Sequence, residues 1–198
     1  MAKTTTLTTT RLIVEGALMI ALATALSYLK IFELPQGGSI TIEMLPLIIM
    51  GLRNGVKWGA LTGFVHGVIQ MILGFKNVMY CTTILSQFGC IMLDYVLAFT
   101  VLGLPLILKF FFGKKHDFAG VIAGTIFVCV LRFICSFLSG LLIWGSYAPE
   151  GQSAAVYSFL YNGSYMLPNT IICVIVVVLM YKIAPKIFAK QKQNFVKE

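Results

Sequence analysis

The stretch FAGVIAGTIFVCVLRFICSFLSGLLIW, residues 118–144, carries a single charged side chain, Arg132. A helix needs about 20 mainly apolar residues to cross the hydrocarbon core of a bilayer. This stretch is longer than that minimum, and its glycines are compatible with a helix inside a membrane. It therefore predicts a membrane-spanning helix and sets the fold class of the chain.

Five further apolar segments flank this stretch and are separated by short polar breaks. They cover residues 11–28, 42–52, 56–73, 84–112 and 156–184. The second is too short to cross a bilayer alone, so we expect a partial or tilted span there. Of the 198 residues, 59% are hydrophobic and 11% charged, a balance unlike that of soluble domains. The chain is therefore predicted to be an all-α membrane protein, a bundle of six transmembrane helices.

The basic residues predict the orientation, because cytoplasmic loops are enriched in lysine and arginine. With the N-terminus inside, the cytoplasmic side receives twelve of them and the outer side only Lys30 and Lys76. Both termini are thus expected in the cytoplasm. We expect a polar tail over residues 1–10, a membrane domain over 11–185 and a basic cytoplasmic tail over 186–198. The net charge of +8 follows this membrane pattern, so a nucleic-acid partner is not expected.

Small residues recur every fourth position in two segments, where they would form flat stripes suited to close helix packing. The stripes consist of Gly51, Gly55, Gly59, Gly63 and Gly67, and of Ala17, Ala21 and Ala25. For the glycine stripe we favour packing inside the bundle. For the alanine stripe two interpretations stay open: internal packing, or docking against a separate membrane subunit.

Ionisable side chains inside a membrane are costly and therefore need an explanation. Counted at ~1.5 Å per residue from the outer helix ends, Asp94 lies ~15 Å deep and Arg132 ~20 Å deep. The two side chains could form a structural ion pair or flank one ligand. Glu43 begins the second span, where it could complement the helix dipole or face a ligand.

Aromatic and amide side chains are concentrated in WGSYAPEGQSAAVYSFLYNGSYMLPN, residues 144–169. Tyr157, Tyr161 and Tyr165 are four apart and share one helix face. Rings together with carboxylates suit a cationic aromatic ligand. The chain has no GxxxxGK[ST] or HExxH motif and no cysteines at metal-ligand spacing, so neither an enzyme nor a resident cofactor is expected.

Four segments carry a resemblance to a known family over residues 11–184. They read VEGALMIALATALSYLKI (14–31), GGSITIEMLPLIIMGLRNGVKWGALTGF (37–64), MLDYVLAF (92–99) and YSFLYNGSYMLPN (157–169). The chain resembles the thiamine-specific substrate-capture (S) components of energy-coupling factor transporters, the ThiT family.

The resemblance implies a thiamine site near the outer face, under the loop between the first two helices. The implied ligand residues are Glu43, Tyr80, Asp94, Tyr95, Ser136, Trp144, Tyr157 and Asn162. Asp94 and Asn162 would hold the aminopyrimidine, while Trp144 and Tyr157 would stack on or close over the rings.

The resemblance also implies partners. Ala17 and Ala21 would dock on the transmembrane coupling (T) subunit, and two cytoplasmic ATPase subunits would use ATP, so this chain itself needs no cofactor. The expected location is the bacterial cell membrane, with several passes.

Two positions depart from the pattern of the family. Members can carry histidine where this chain has Ser136, and glutamate where it has Asp94. These changes leave room for a related vitamin or pyrimidine-like ligand. An intramembrane enzyme or a structural bundle subunit is the alternative from a different class.

Overall fold

The computed structural model describes residues 9–35, 37–109 and 117–188. Its helices are α1 (Thr9–Tyr28), α2 (Met44–Asn54), α3 (Val56–Leu73), α4 (Phe75–Tyr80), α5 (Ile84–Gly103), α6 (Pro105–Lys109), α7 (Asp117–Leu142) and α8 (Ala154–Ile183). Five of these, α1, α3, α5, α7 and α8, are long and apolar enough to cross a membrane, and α2 is a shorter apolar helix. The predicted helical membrane fold is confirmed.

The fourth predicted span, residues 84–112, is divided in the structure. α5 ends at Gly103, and α6 begins at Pro105 after a break at Leu104. Proline has no backbone N–H and disfavours a helical residue before it, which explains the break. Three parts of the predicted segments lie outside the described residues: 110–112 of the fourth span, 1–8 of the polar tail over 1–10, and 189–198 of the basic tail over 186–198.

α2 occupies the centre of the bundle. Ten of its eleven residues are buried, and only Arg53 is partly exposed. Arg53 Nε lies 2.7 Å from Glu15 Oε1 of α1, so an ion pair joins the end of α2 to the peripheral helix. The predicted partial span is therefore the helix around which the others pack.

Glycines bring α3 directly onto the backbone of α5. A Cβ atom at any of three α3 positions would collide with a carbonyl oxygen of α5. The pairs are Gly59 with Gly103, Gly63 with Phe99, and Gly67 with Tyr95. Internal packing of the glycine stripe is thus confirmed, except at Gly55. That residue ends α2 with a φ of 94°, a conformation that favours glycine, and has no neighbour within 4 Å of an added Cβ.

The connection between α1 and α2 contains a short hairpin, with β1 (Phe32–Glu33) antiparallel to β2 (Ser39–Ile40). The β2 side of the hairpin contacts α8 through hydrogen bonds. Asn169 accepts a hydrogen bond from Thr41 N at 2.9 Å and donates to Ser39 O at 2.9 Å. Gly38 N donates to the Tyr161 hydroxyl at 3.0 Å. The hairpin therefore holds the chain that leads into Glu43 against the last helix.

Candidate functional site

Asp94 lies in a π-helical stretch of α5, Ile91–Val96. Such stretches widen the helix and occur often at functional sites. One carboxylate oxygen, Oδ2, accepts a hydrogen bond from Trp144 Nε1 at 3.1 Å. The buried Ser139 hydroxyl of α7 lies beside the carboxylate, but it makes no hydrogen bond of good geometry among the described residues. The Asp94 carboxylate is thus joined to the outer end of α7 through an indole.

Tyr95, the next residue, points towards the α3–α4 junction. Its hydroxyl donates to Gly74 O at 3.1 Å and accepts from Asn77 Nδ2 at 3.1 Å. Its ring is buried, and its own carbonyl lies against Gly67. The structure therefore gives Tyr95 packing contacts that hold the Asp94 segment in place.

Four polar side chains of α8 lie along one face at helical spacing. They are Ser158, Asn162, Tyr165 and Asn169. Asn162 Nδ2 donates to Ser158 O at 2.9 Å, and its Oδ1 accepts from the Tyr165 hydroxyl at 2.6 Å. An added Cβ at Gly140 of α7 would lie 3.1 Å from Asn162 Nδ2 and collide with the Ser158 hydroxyl. α7 therefore brings its Ser136–Gly140 turn directly onto this face.

Aromatic rings surround the polar face at the predicted outer end. Tyr157 and Tyr161 stack at a centroid distance of 5.7 Å, and Tyr161 meets Tyr165 edge-on at 5.9 Å. Trp144 lies against Tyr147 at 6.0 Å. This aromatic surface, next to a carboxylate and an amide, fits a flat cationic ligand.

Arg132 has a different partner from the one considered first. The sequence placed Asp94 and Arg132 at similar depths, but the guanidinium Nη2 lies 3.4 Å from Glu43 Oε1. The guanidinium carbon sits 4.0 Å from the centroid of the Phe99 ring. The rise per residue predicts how deep a side chain lies in the membrane, but not the direction in which it points from the helix axis. Glu43 reaches Arg132 on α7 because the hairpin positions the chain just before α2.

The remaining predicted site residues lie in different places. Ser136 interacts with the Tyr165 hydroxyl, which joins it to the α8 face. Tyr80 is 69% exposed and lines a separate surface groove with Phe75, Lys76 and Met79. We therefore leave Tyr80 out of the site proposed below.

Sequence reasoning missed Ser139 and Ser158 as members of this region, and it counted Asn169 among the amides of residues 144–169 without assigning it a role. Ser158 and Asn169 precede and follow Asn162 by four and seven residues, the spacing that keeps side chains on one helix face. That spacing is the sequence signal that places both residues on the same helix face as Asn162. Ser139 carried no comparable signal, because its importance comes from the position of Asp94 on another helix.

The alanine stripe is exposed. Ala17, Ala21 and Ala25 line an apolar groove of about 660 Å³ between α1 and α3, with Val65 and Ile69 on the opposite wall. Internal packing within the described chain therefore does not account for the stripe. The docking interpretation is the one that this geometry favours.

Residues 13–189 match the family model described as thiamine transporter protein (Thia_YuaJ). The thiamine transporter ThiT of Bacillus subtilis is 31% identical over 189 residues, which cover 91% of this chain and 95% of that protein. ThiT of Lacticaseibacillus paracasei is 30% identical over 196 residues, covering 92% and 93%. A solved structure of ThiT from Listeria monocytogenes superposes with a TM-score of 0.73 at 22% identity, over 89% of this chain and 96% of that one.

Proposed function

The chain belongs to the thiamine transporter protein family, and on that premise we propose that it is the substrate-binding (S) subunit of an ATP-driven energy-coupling factor importer. In this role it binds thiamine from the outside with high affinity. It is a multi-pass membrane protein of bacteria and not an enzyme.

The observation that carries the proposal is the meeting of Asp94, Trp144 and Asn162 at one end of the bundle. A half-buried carboxylate accepts from an indole N–H. The Ser139–Gly140 step of α7 connects it to the buried Asn162 amide and a row of tyrosine rings. Thiamine combines an aminopyrimidine, which donates and accepts hydrogen bonds, with a cationic thiazolium ring. Carboxylate and amide suit the first part, and aromatic faces suit the second.

In the proposed complex, Asp94 accepts from the aminopyrimidine and Asn162 exchanges hydrogen bonds with its edge. Trp144 and Tyr157 stack on or close over the rings. Glu43 supplies a second carboxylate, Ser136 lies at the ligand's polar edge, and Tyr95 holds the Asp94 segment from behind.

The exposed groove beside Ala17 and Ala21 supports the second half of the proposal. Small side chains allow the backbones of two helices to approach closely inside a membrane. We assign this groove to the coupling (T) subunit, through which two cytoplasmic ATPase subunits would drive transport.

The first experiment is a fluorescence titration of the detergent-solubilised protein with thiamine. The chain has two tryptophans, so Trp58→Phe leaves Trp144 as the reporter of the site. We expect saturable quenching at nanomolar to low micromolar thiamine. Asp94→Ala removes a hydrogen bond to a charged group, worth about 1.5–3 kcal/mol, and should weaken binding about ten- to a hundredfold.

The titration distinguishes a wrong ligand from a wrong site residue. No response of the Trp58→Phe protein to thiamine, confirmed by calorimetry, would refute thiamine as the ligand and direct a screen to related vitamins and pyrimidines. Binding by a folded Asp94→Ala protein within twofold of the parent would remove Asp94 from the site.

A further inference from the structure

Arg132 is a charged side chain in the middle of α7, where its side chain is only 13% exposed. A charge at such a position needs compensating contacts, and in membrane helices it commonly marks a functional site. None of the roles proposed above for the ligand-binding residues involves Arg132. Its surroundings therefore need an explanation of their own.

The contacts of Arg132 are loose for a buried arginine. Its distance of 3.4 Å to Glu43 exceeds the 2.7–2.9 Å typical of charge-assisted hydrogen bonds. The Nη1 atom is buried and has no hydrogen-bond partner among the described residues. Arg53 at the other end of α2 lies nearer its carboxylate partner, 2.7 Å from Glu15, although its Nε atom likewise makes no hydrogen bond of good geometry among the described residues. Arg132 is thus held mainly by the face of the Phe99 ring, and only weakly by Glu43.

The charges around Arg132 do not balance. Its guanidinium lies 3.4 Å from Glu43 and interacts more weakly with the more distant Asp94, so one cation lies near two carboxylates. Lys30 also acts on Glu43, but it forms an exposed ion pair of 2.6 Å with Glu33. With these groups ionised, the cluster has one uncompensated negative charge. A ligand with one positive charge would make it neutral.

We propose that Arg132 is the resident cation of the binding site and sets how strongly the site prefers a cationic ligand over a neutral ligand of the same shape. This inference rests on the proposed function. Arg132 neutralises part of the field of Glu43, and a positive ligand ring must share that carboxylate with it. Removing the arginine charge should therefore strengthen the preference for a cation, and removing the Glu43 charge should weaken it.

The test uses two probes: thiamine, and its neutral analogue in which a thiophene replaces the thiazolium ring. The measured quantity is the ratio of the dissociation constant of the analogue to that of thiamine, obtained by calorimetry on the purified full chain. A change in general stability affects both ligands alike, so it does not move this ratio.

We expect Arg132→Gln to raise the ratio at least tenfold, because two unit charges at an effective dielectric near 20 interact by about 1.4 kcal/mol even at about 12 Å, and by more at shorter range. Glu43→Gln should lower it by a similar factor, and Arg132→Lys should leave it near the wild-type value. Arg53→Gln is the matched control, since it removes a partly buried arginine that pairs with Glu15 at the far end of α2. That control should not change the ratio.

A ratio within twofold of wild type in Arg132→Gln would overturn the inference. If that variant does not fold, Glu43→Gln decides the question, because an unchanged ratio there overturns it equally. Wild-type protein that binds neither probe would instead refute the proposed function. Wild-type protein that binds both, with ratios insensitive to these substitutions, would refute only the role of Arg132.

Discussion

Asn169 shows how much one side chain contributes to the candidate site without facing the ligand residues directly. Its amide bonds to both Thr41 N and Ser39 O, so it satisfies two backbone groups of the hairpin at once. Glu43 follows two residues later. Asn169 therefore fixes the backbone from which Glu43 reaches Arg132.

Substitution of Asn169 by leucine should loosen the hairpin. It removes both hydrogen bonds and leaves two backbone groups unsatisfied, at a cost of about 1–3 kcal/mol each where they are buried. We expect hydrogen exchange of the Thr41 amide to become about ten- to a hundredfold faster. Tyr161→Phe is the control, since it removes the acceptor of Gly38 N and leaves both hydrogen bonds of Asn169 in place, so exchange at Thr41 should be unchanged. Equal exchange at Thr41 in both variants would contradict this role.

At the scale of elements, the α3–α5 contact is the most restrictive in the described fold. Glycines of α3 meet carbonyl oxygens of α5 along three successive turns, and the last of these belongs to Tyr95. Backbone contact with α3 therefore holds the segment that carries Asp94, and no side chain fits between the two helices at these glycines. Gly63, opposite Phe99 O, lies in the middle of this contact.

Gly63→Ala should destabilise the protein by about 1–3 kcal/mol, because the added methyl group pushes α3 away from α5. The measurement is the midpoint of thermal unfolding in detergent. Gly163→Ala is the matched control: it lies inside α8, and an added Cβ there has no neighbour within 4 Å. The control should be neutral or stabilising by up to about 1 kcal/mol, because alanine favours helices over glycine. A similar loss in both variants would argue against the close contact.

Much of this arrangement of elements could be predicted from sequence. Apolar length defines the spanning helices, and glycines four residues apart indicate that α3 packs closely inside the bundle, without indicating that α5 is its partner. The π-helical stretch around Asp94 could not be predicted, because no residue in Ile91–Val96 marks a change of helical period. The Glu43–Arg132 pair was also missed, since it depends on a hairpin held by side chains more than 120 residues away.

At the scale of the whole molecule, the proposed ligand site and the alanine groove lie on different helices. The proposed site is built by α5, α7 and α8 together with Glu43 at the start of α2, while the groove lies between α1 and α3. The two functions can therefore be separated by mutation. Under the proposed function, binding needs only this chain, whereas uptake needs the partner subunits as well.

The double substitution Ala17→Trp and Ala21→Trp should fill the groove and block the approach of the coupling subunit. We expect thiamine binding to stay within twofold of wild type while ATP-driven uptake into reconstituted vesicles is abolished. Leu18→Trp is the control, since Leu18 is 66% exposed but does not line the groove. Normal uptake by the double variant would show that docking occurs elsewhere.

The burial of α2 also has a consequence for synthesis of the protein. A helix of eleven residues is about 16 Å long and cannot cross a hydrocarbon core of about 30 Å. α2 is synthesised before α5, α7 and α8, helices against which it packs. The translocon therefore cannot insert α2 into the lipid as a complete transmembrane helix. α2 reaches its central place only when the later helices have entered the membrane and closed around it.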